Sequence, residues 1–196
     1  DTVSGHDEEY KEVFRGYEDI LAHVAQKSIG TVLEFGVGTG NLTKKLVDRG
    51  HTIYGVEPNE TMRNKAAEKL PANAYLYDGD FIQYPELPSG VNSIVSTYAF
   101  HHLTDEEKAQ AIQQYGKMLA KDGKIVFADT MFENKEAYVK TIKQAEKRGF
   151  LSLSKDLQSE YYTTIPVLKE MLESNGFKVT FTRFNHFVWV LEATKA

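Results

Sequence analysis

Residues 31–42, TVLEFGVGTGNL, run from an apolar stretch of strand formers through three alternating glycines into a helix start. Thr31, Val32, Leu33 and Phe35 read as a short buried strand, and Asn41 is expected to cap the periodic segment that follows. Without a Cβ, glycine lets the chain turn tightly and lets a ligand approach the backbone beside the amides of a helix N-terminus. A nucleotide-like ligand at this turn is the first expectation.

The glycine spacing narrows the ligand. A dinucleotide fingerprint has the form GxGxxG, with the third glycine three residues after the second. Gly36, Gly38 and Gly40 give GxGxG instead, and Asn41 stands where that fingerprint wants glycine. Glu34, two positions before the first glycine, suits a cationic ligand better than a pyrophosphate.

Strand and helix patterns alternate through the rest of the chain. Residues 8–28 carry an apolar helical stripe, 41–49 a helix stopped by Gly50, and 51–56 a second strand ending in Glu57-Pro58-Asn59. An acidic side chain at that strand end, about twenty residues after the glycines, is placed to accept hydrogen bonds from both ribose hydroxyls. Asn59 caps a helix over 60–70, and residues 74–77 make a third strand followed by a turn holding Asp78, Gly79, Asp80 and Phe81. The fourth strand, 91–98, leads through Ala99-Phe100-His101-His102-Leu103 to a helix opened by the capping box of Thr104 and Glu107 and ended by Gly123. Ligands of open α/β sheets lie beyond the carboxyl ends of the strands, which sets Ser96, Tyr98, His101 and His102 near any reacting atoms. A zinc site is not expected there: consecutive histidines rarely face one ion, and no carboxylate stands at ligand spacing beside them.

The fifth strand spans 124–130, and residues 131–176 carry three helical segments, at 135–148, 151–159 and 165–173. This long insertion is expected to cover the substrate, with Phe132, Tyr138, Tyr161 and Tyr162 as candidate wall residues. Two final strands joined at Asn185-His186 form a hairpin at the sheet edge. The pattern predicts an α/β, doubly wound, mostly parallel sheet in one domain over residues 1–196.

The motif Glu34-Phe-Gly-Val-Gly-Thr-Gly40 resembles the first motif of class I S-adenosylmethionine-dependent methyltransferases. The resemblance extends over nearly the whole chain and is closest to the small bacterial YrrT-like methyltransferases. It implies a seven-stranded sheet ordered 3-2-1-4-5-7-6 with the last strand antiparallel. It implies S-adenosyl-L-methionine as cofactor, with Glu34 toward the ammonium, Gly36, Gly38, Gly40 and Asn41 at the methionine portion and Glu57 and Pro58 at the ribose. Asp80 would face the adenine amino group and Phe81 the ring, with Ser96 and Tyr98 completing the site. The chain opens on Asp1 rather than Met, so further residues ahead of it are expected, and in the resembled family such residues help close the cofactor site.

Methyl transfer from a sulfonium is a direct displacement, which rests on holding the acceptor in line. His101 and Tyr98 are the candidate catalytic residues, and a histidine is the one whose ordinary pKa suits a general base near neutrality. A net charge of −5 with scattered Lys and Arg argues against nucleic acid and for a small-molecule acceptor. The absence of cysteine, of long apolar runs and of a signal peptide is compatible with a cytoplasmic protein without membrane attachment. Two alternatives remain: a nicotinamide-dependent oxidoreductase, and a catalytically silent adenosylmethionine-binding module.

Overall fold

The computed structural model describes residues 8–196. Its strands are β1 (Val32–Phe35), β2 (Ile53–Val56), β3 (Ala74–Tyr77), β4 (Ser93–Thr97), β5 (Lys124–Thr130), β6 (Phe177–Arg183) and β7 (Val188–Lys195). They form one sheet in the order β3-β2-β1-β4-β5-β7-β6. The first five pair in parallel, and β7 runs antiparallel to both β5 and β6. The order and orientation match the expectation from the sequence.

The helices are α1 (Tyr17–Lys27), α2 (Asn41–Asp48), α3 (Glu60–Lys69), α4 (Asp105–Met118), α5 (Lys135–Lys147), α6 (Leu151–Ser159) and α7 (Ile165–Glu173). Two cores form on the two faces of the sheet because side chains alternate along each strand. Val32 packs with Leu21, Leu46 and Leu157 from α1, α2 and α6. Leu33 and Phe35 pack with Ile112, Tyr115 and Leu168 from α4 and α7. Every residue of β1 is buried, as a central parallel strand covered on both faces requires.

The structure departs from the sequence reading in several places. The helix expected over 8–28 is a 3-10 turn at Glu8–Tyr10, an irregular stretch and then α1, because Gly16 takes φ 72° and breaks the helical path. Gly40, at φ 88°, is the residue preceding α2, so Asn41 is the first helical residue rather than the cap. Helix α4 stops at Met118, with Gly123 five residues further on in the turn to β5. The insertion divides between the two faces: α6 joins the α1–α2 core and α7 the opposite one. The predicted capping box is present, Glu107 N donating to Thr104 Oγ1 at 3.2 Å and Thr104 N to Glu107 Oε1 at 3.0 Å. No helix among the described residues is long and apolar enough to cross a membrane.

Candidate active site

A cavity of about 1060 Å³ opens beyond the carboxyl ends of β1, β2, β4 and β5. Its first wall is the glycine turn. Gly36 and Gly38 both have positive φ, at 69° and 59°. A Cβ on Gly36 would meet the Ala99 Cβ at 2.8 Å, whereas one on Gly38 would meet nothing within 4 Å. Gly36 is therefore needed by the fold, and Gly38 leaves room for a ligand against the backbone. Asn41 anchors the other side of the turn, donating from Nδ2 to Tyr17 Oη at 3.1 Å and accepting at Oδ1 from Lys69 Nζ at 2.9 Å.

Glu57 leaves the end of β2 and reaches back to this turn. Its Oε1 accepts from Gly38 N at 2.7 Å and its Oε2 from Asn59 N at 2.8 Å. Each oxygen keeps a second lone pair, so the carboxylate is held in place and still free to accept from hydroxyls. Asp80 sits in the turn after β3, where Oδ1 accepts from Ile82 N and Gln83 N, both at 2.8 Å. Phe81 lines the cavity from a buried position, stacked on Phe35 with ring centroids 5.0 Å apart. Pro58 and Met62 complete this part of the wall.

Across the cavity stand Tyr98, His101 and Asp129. Tyr98 follows β4 with φ 56°, a conformation uncommon for a residue with a side chain, held by its N–H donating to Ala128 O at 2.8 Å. Its buried hydroxyl has no hydrogen-bond partner among the described residues, and burial raises its pKa. Asp129, at the exit of β5, fixes His101 twice: Oδ2 accepts from the His101 N–H and Oδ1 from its Nδ1, both at 2.8 Å. A carboxylate only accepts, so Nδ1 carries the proton and Nε2 is the free basic nitrogen. Burial disfavours the imidazolium, but the charge and hydrogen bond of Asp129 outweigh it and raise the His101 pKa. Tyr162 stacks on the imidazole with centroids 4.9 Å apart.

Three residues expected at the cofactor lie behind the wall. Glu34 points into the α1–α2 face, 1% exposed, where Thr43 Oγ1 donates to its Oε1 at 2.6 Å. Burial pushes its carboxyl up to about 8, outweighing the Thr43 hydrogen bond and aided by the Glu57 charge. Gly40 is enclosed by Ala66, Leu70 and Lys69, and Ser96 is buried beneath the turn with its hydroxyl unpaired among the described residues. Strand alternation aims Glu34 at Thr43, and it is not among the residues that line the cavity.

Of the four aromatics expected in the substrate wall, Tyr162 lines the cavity. Tyr138 is tied off to Leu157 O at 2.6 Å and packs against Phe132, while Tyr161 is half exposed. Sequence reasoning missed Asp129 as the partner of His101, and it missed Asp156 and Glu160 altogether. Glu160 lies 3.3 Å from His102 Nδ1, so a carboxylate does accompany the paired histidines. His101, His102 and Glu160 offer ligand atoms within 4.8 Å of one another. The fold supplies at a separation of 58 residues what local spacing lacks.

Residues 32–123 match a family model described as a methyltransferase domain. Over 193 residues the chain is 59% identical to an uncharacterized methyltransferase of Bacillus mycoides (strain KBAB4), covering 98% of this chain and 91% of that protein. It is 60% identical over 193 residues to an uncharacterized methyltransferase of Bacillus anthracis, with the same coverage of 98% and 91%. Among solved structures, the magnesium protoporphyrin IX methyltransferase (ChlM) of Synechocystis PCC 6803 with bound SAH aligns at a TM-score of 0.72 and 17% identity, covering 97% of this chain and 88% of that one. The chain belongs to the class I S-adenosyl-L-methionine-dependent methyltransferases, and S-adenosyl-L-methionine is its cofactor.

Proposed function

We propose that the protein methylates a small-molecule acceptor bound in the same cavity as the cofactor. One observation carries the reading: a single cavity of about 1060 Å³ joins the glycine turn and Glu57 to the His101–Asp129 pair. Pockets for one small ligand run to roughly 300–1,000 Å³, so this one has room for a cofactor and a second small molecule. Among the described residues neither lysine nor arginine lines it, which disfavours nucleic acid, whose phosphates need clustered cations. Its place in the family sets aside the nicotinamide oxidoreductase reading.

When bound, the cofactor supplies an electrophilic methyl on a sulfonium. In this reading Gly36, Gly38 and Asn41 border its methionine portion, Glu57 and Pro58 its ribose, and Asp80 and Phe81 its adenine. Glu34 acts at one remove, through Thr43 at the start of α2. Ser96 and Gly40 shape the turn from beneath. Tyr98 borders the reacting centre, and His101 Nε2 removes a proton from an acceptor that must lose one. Helix α6 and Tyr162 cover the acceptor side.

The test combines a cofactor titration with a metabolite-extract screen. Adenosylhomocysteine at one hundred times its dissociation constant should stabilise the fold by about 2.7 kcal/mol, and NADH should not stabilise it. The extract should support acceptor-dependent formation of adenosylhomocysteine. Binding without any turnover across extracts would identify a silent binding module instead.

A further inference from the structure

Cofactor recognition as read above uses two of the carboxylates on the cavity wall, Glu57 and Asp80. Four others, Glu107, Asp129, Asp156 and Glu160, line the same cavity, and no lysine or arginine among the described residues does. The buried cation Lys108 does not line it and is engaged by backbone carbonyls: its ammonium donates to Leu103 O at 2.9 Å and to Tyr161 O. Carboxylates converging on a partly enclosed space give it a negative potential, which attracts cations and repels anions. All four are held by the fold: Asp129 by the His101 contacts described above, Asp156 by the Tyr10 hydroxyl, Glu107 by Thr104 N in the capping box and Glu160 by His102 Nδ1. The rest of this wall includes aromatic rings, notably Phe14, Tyr98 and Tyr162. Phe14 lies against Tyr98 with ring centroids 5.1 Å apart. Aromatic rings beside carboxylates are the chemistry that holds an organic ammonium, by ring quadrupole and by charge.

We propose, building on the methyl-transfer reading, that the acceptor is a small organic amine bound as its ammonium ion between the Tyr98–His101 wall and the acidic side of α6. The same residues carry the step that follows. An ammonium nitrogen has no lone pair, so it first gives one proton to His101 Nε2, and Asp129 stabilises the imidazolium that forms. The neutral nitrogen then forms a bond to the methyl carbon as the carbon–sulfur bond breaks with its electron pair passing to sulfur. The products are a methylated ammonium, which keeps the positive charge the cofactor lost, and neutral-sulfur adenosylhomocysteine. An acidic wall suits a site that is cationic before and after the transfer. Carboxylate and phosphate acceptors are rejected by the same wall.

The experiment measures calorimetric binding of three probes of one skeleton to the adenosylhomocysteine-bound protein: phenethylamine, 2-phenylethanol and 3-phenylpropionate. The amine should bind at least ten-fold more tightly than either of the others. Glu160→Gln and Asp156→Asn should each reduce that preference several-fold, and the comparison of probes on the unaltered protein stands even if Asp156→Asn loosens the Tyr10 contact. Equal or tighter binding of the alcohol or the carboxylate, no measurable binding of the amine, or a preference unchanged in both variants would overturn the inference. Failure of adenosylhomocysteine to bind would strike the methyl-transfer reading itself. Normal adenosylhomocysteine binding without an amine preference would strike this inference alone.

Discussion

The proposed cofactor and acceptor sides of the cavity are assembled over different distances along the chain. On the proposed cofactor side the contacts of the two carboxylates are short in sequence: Glu57 to Gly38 spans 19 residues, Glu57 to Asn59 two, and Asp80 to Ile82 two. On the acceptor side His101 meets Asp129 across 28 residues, His102 meets Glu160 across 58 and Tyr10 meets Asp156 across 146. The first side is a property of strand–turn–helix units and comes with the fold. The second needs β5, α6 and the N-terminal segment to be docked before it exists. Such a division lets acceptor chemistry change while cofactor binding stays intact, since a common scaffold hosts many reactions through its variable segments.

The sharpest way to break the comparison is to fill the cofactor side alone. Gly38→Val should lower adenosylhomocysteine affinity by more than about 10²-fold, because its side chain enters the space the ligand needs. Nothing in the protein stands within 4 Å of a Cβ there, so the fold should survive the strain of a positive φ, roughly 1–2 kcal/mol. Gly50→Ala, at φ 90° and likewise without neighbours within 4 Å, is the control. Equal loss of binding in both variants would make backbone strain, not occupied space, the cause.

On the acceptor side, His101→Ala should cut turnover by roughly 10²-fold while adenosylhomocysteine affinity holds, the signature of a lost general base. The base works unprotonated, and its pKa is raised above the ordinary 6.5. Turnover should therefore climb with pH through a midpoint above that value. The groups that face it are Asp129 and Glu160, which favour the imidazolium, Lys108, which opposes it, and the neighbouring His102. Asp129→Asn should move the midpoint down. A pH profile that Asp129→Asn leaves in place would remove His101 from proton transfer.

A smaller effect tests whether Glu34 belongs to the site or to the core. Its folded pKa, about 8, lies above its ordinary 4.5, so the stability it contributes is complete below 4.5 and is lost as pH rises toward 8. Each pH unit inside that window costs about 1.4 kcal/mol. Glu34→Gln lacks this slope and should gain on the original protein by on the order of 2 kcal/mol between pH 5 and pH 7. A difference in melting that stays constant with pH would mean that Glu34 is ionised where it sits.

Most of the proposed cofactor side could be located from the sequence for the same reason that its carboxylate contacts are local. Glycine spacing, the acid at the end of β2 and the capping box of Thr104 are short-range signals, and the strand order followed from the resemblance that the glycines disclosed. Direction was harder to read than position. Glu34 stands in the right motif, but period-two alternation in β1 aims it at Thr43, which could have been foreseen by assigning Leu33 and Phe35 to one face and Glu34 to the other. Asp156 and Glu160 left no signal, since in isolation each is one more acid on an amphipathic helix or at its end. Only the docking of α6 over the strand ends makes them part of a site.

The smallest predicted effect separates the two jobs of Asp80. Its Oδ1 holds the turn by accepting from Ile82 N and Gln83 N, and the proposed adenine contact would use its remaining acceptor capacity. Asp80→Ala removes both functions. Asp80→Asn keeps a carbonyl oxygen for the two amides but turns an NH₂ group toward the amino group of the adenine, donor against donor. Both variants should weaken adenosylhomocysteine by about 1 kcal/mol, the value of one partly solvated hydrogen bond. Only Asp80→Ala should also lower the melting temperature of the free protein. If Asp80→Asn binds adenosylhomocysteine with full affinity while Asp80→Ala does not, Asp80 is a turn residue that serves the cofactor by holding Phe81 in place, and the adenine edge is read by the backbone around it.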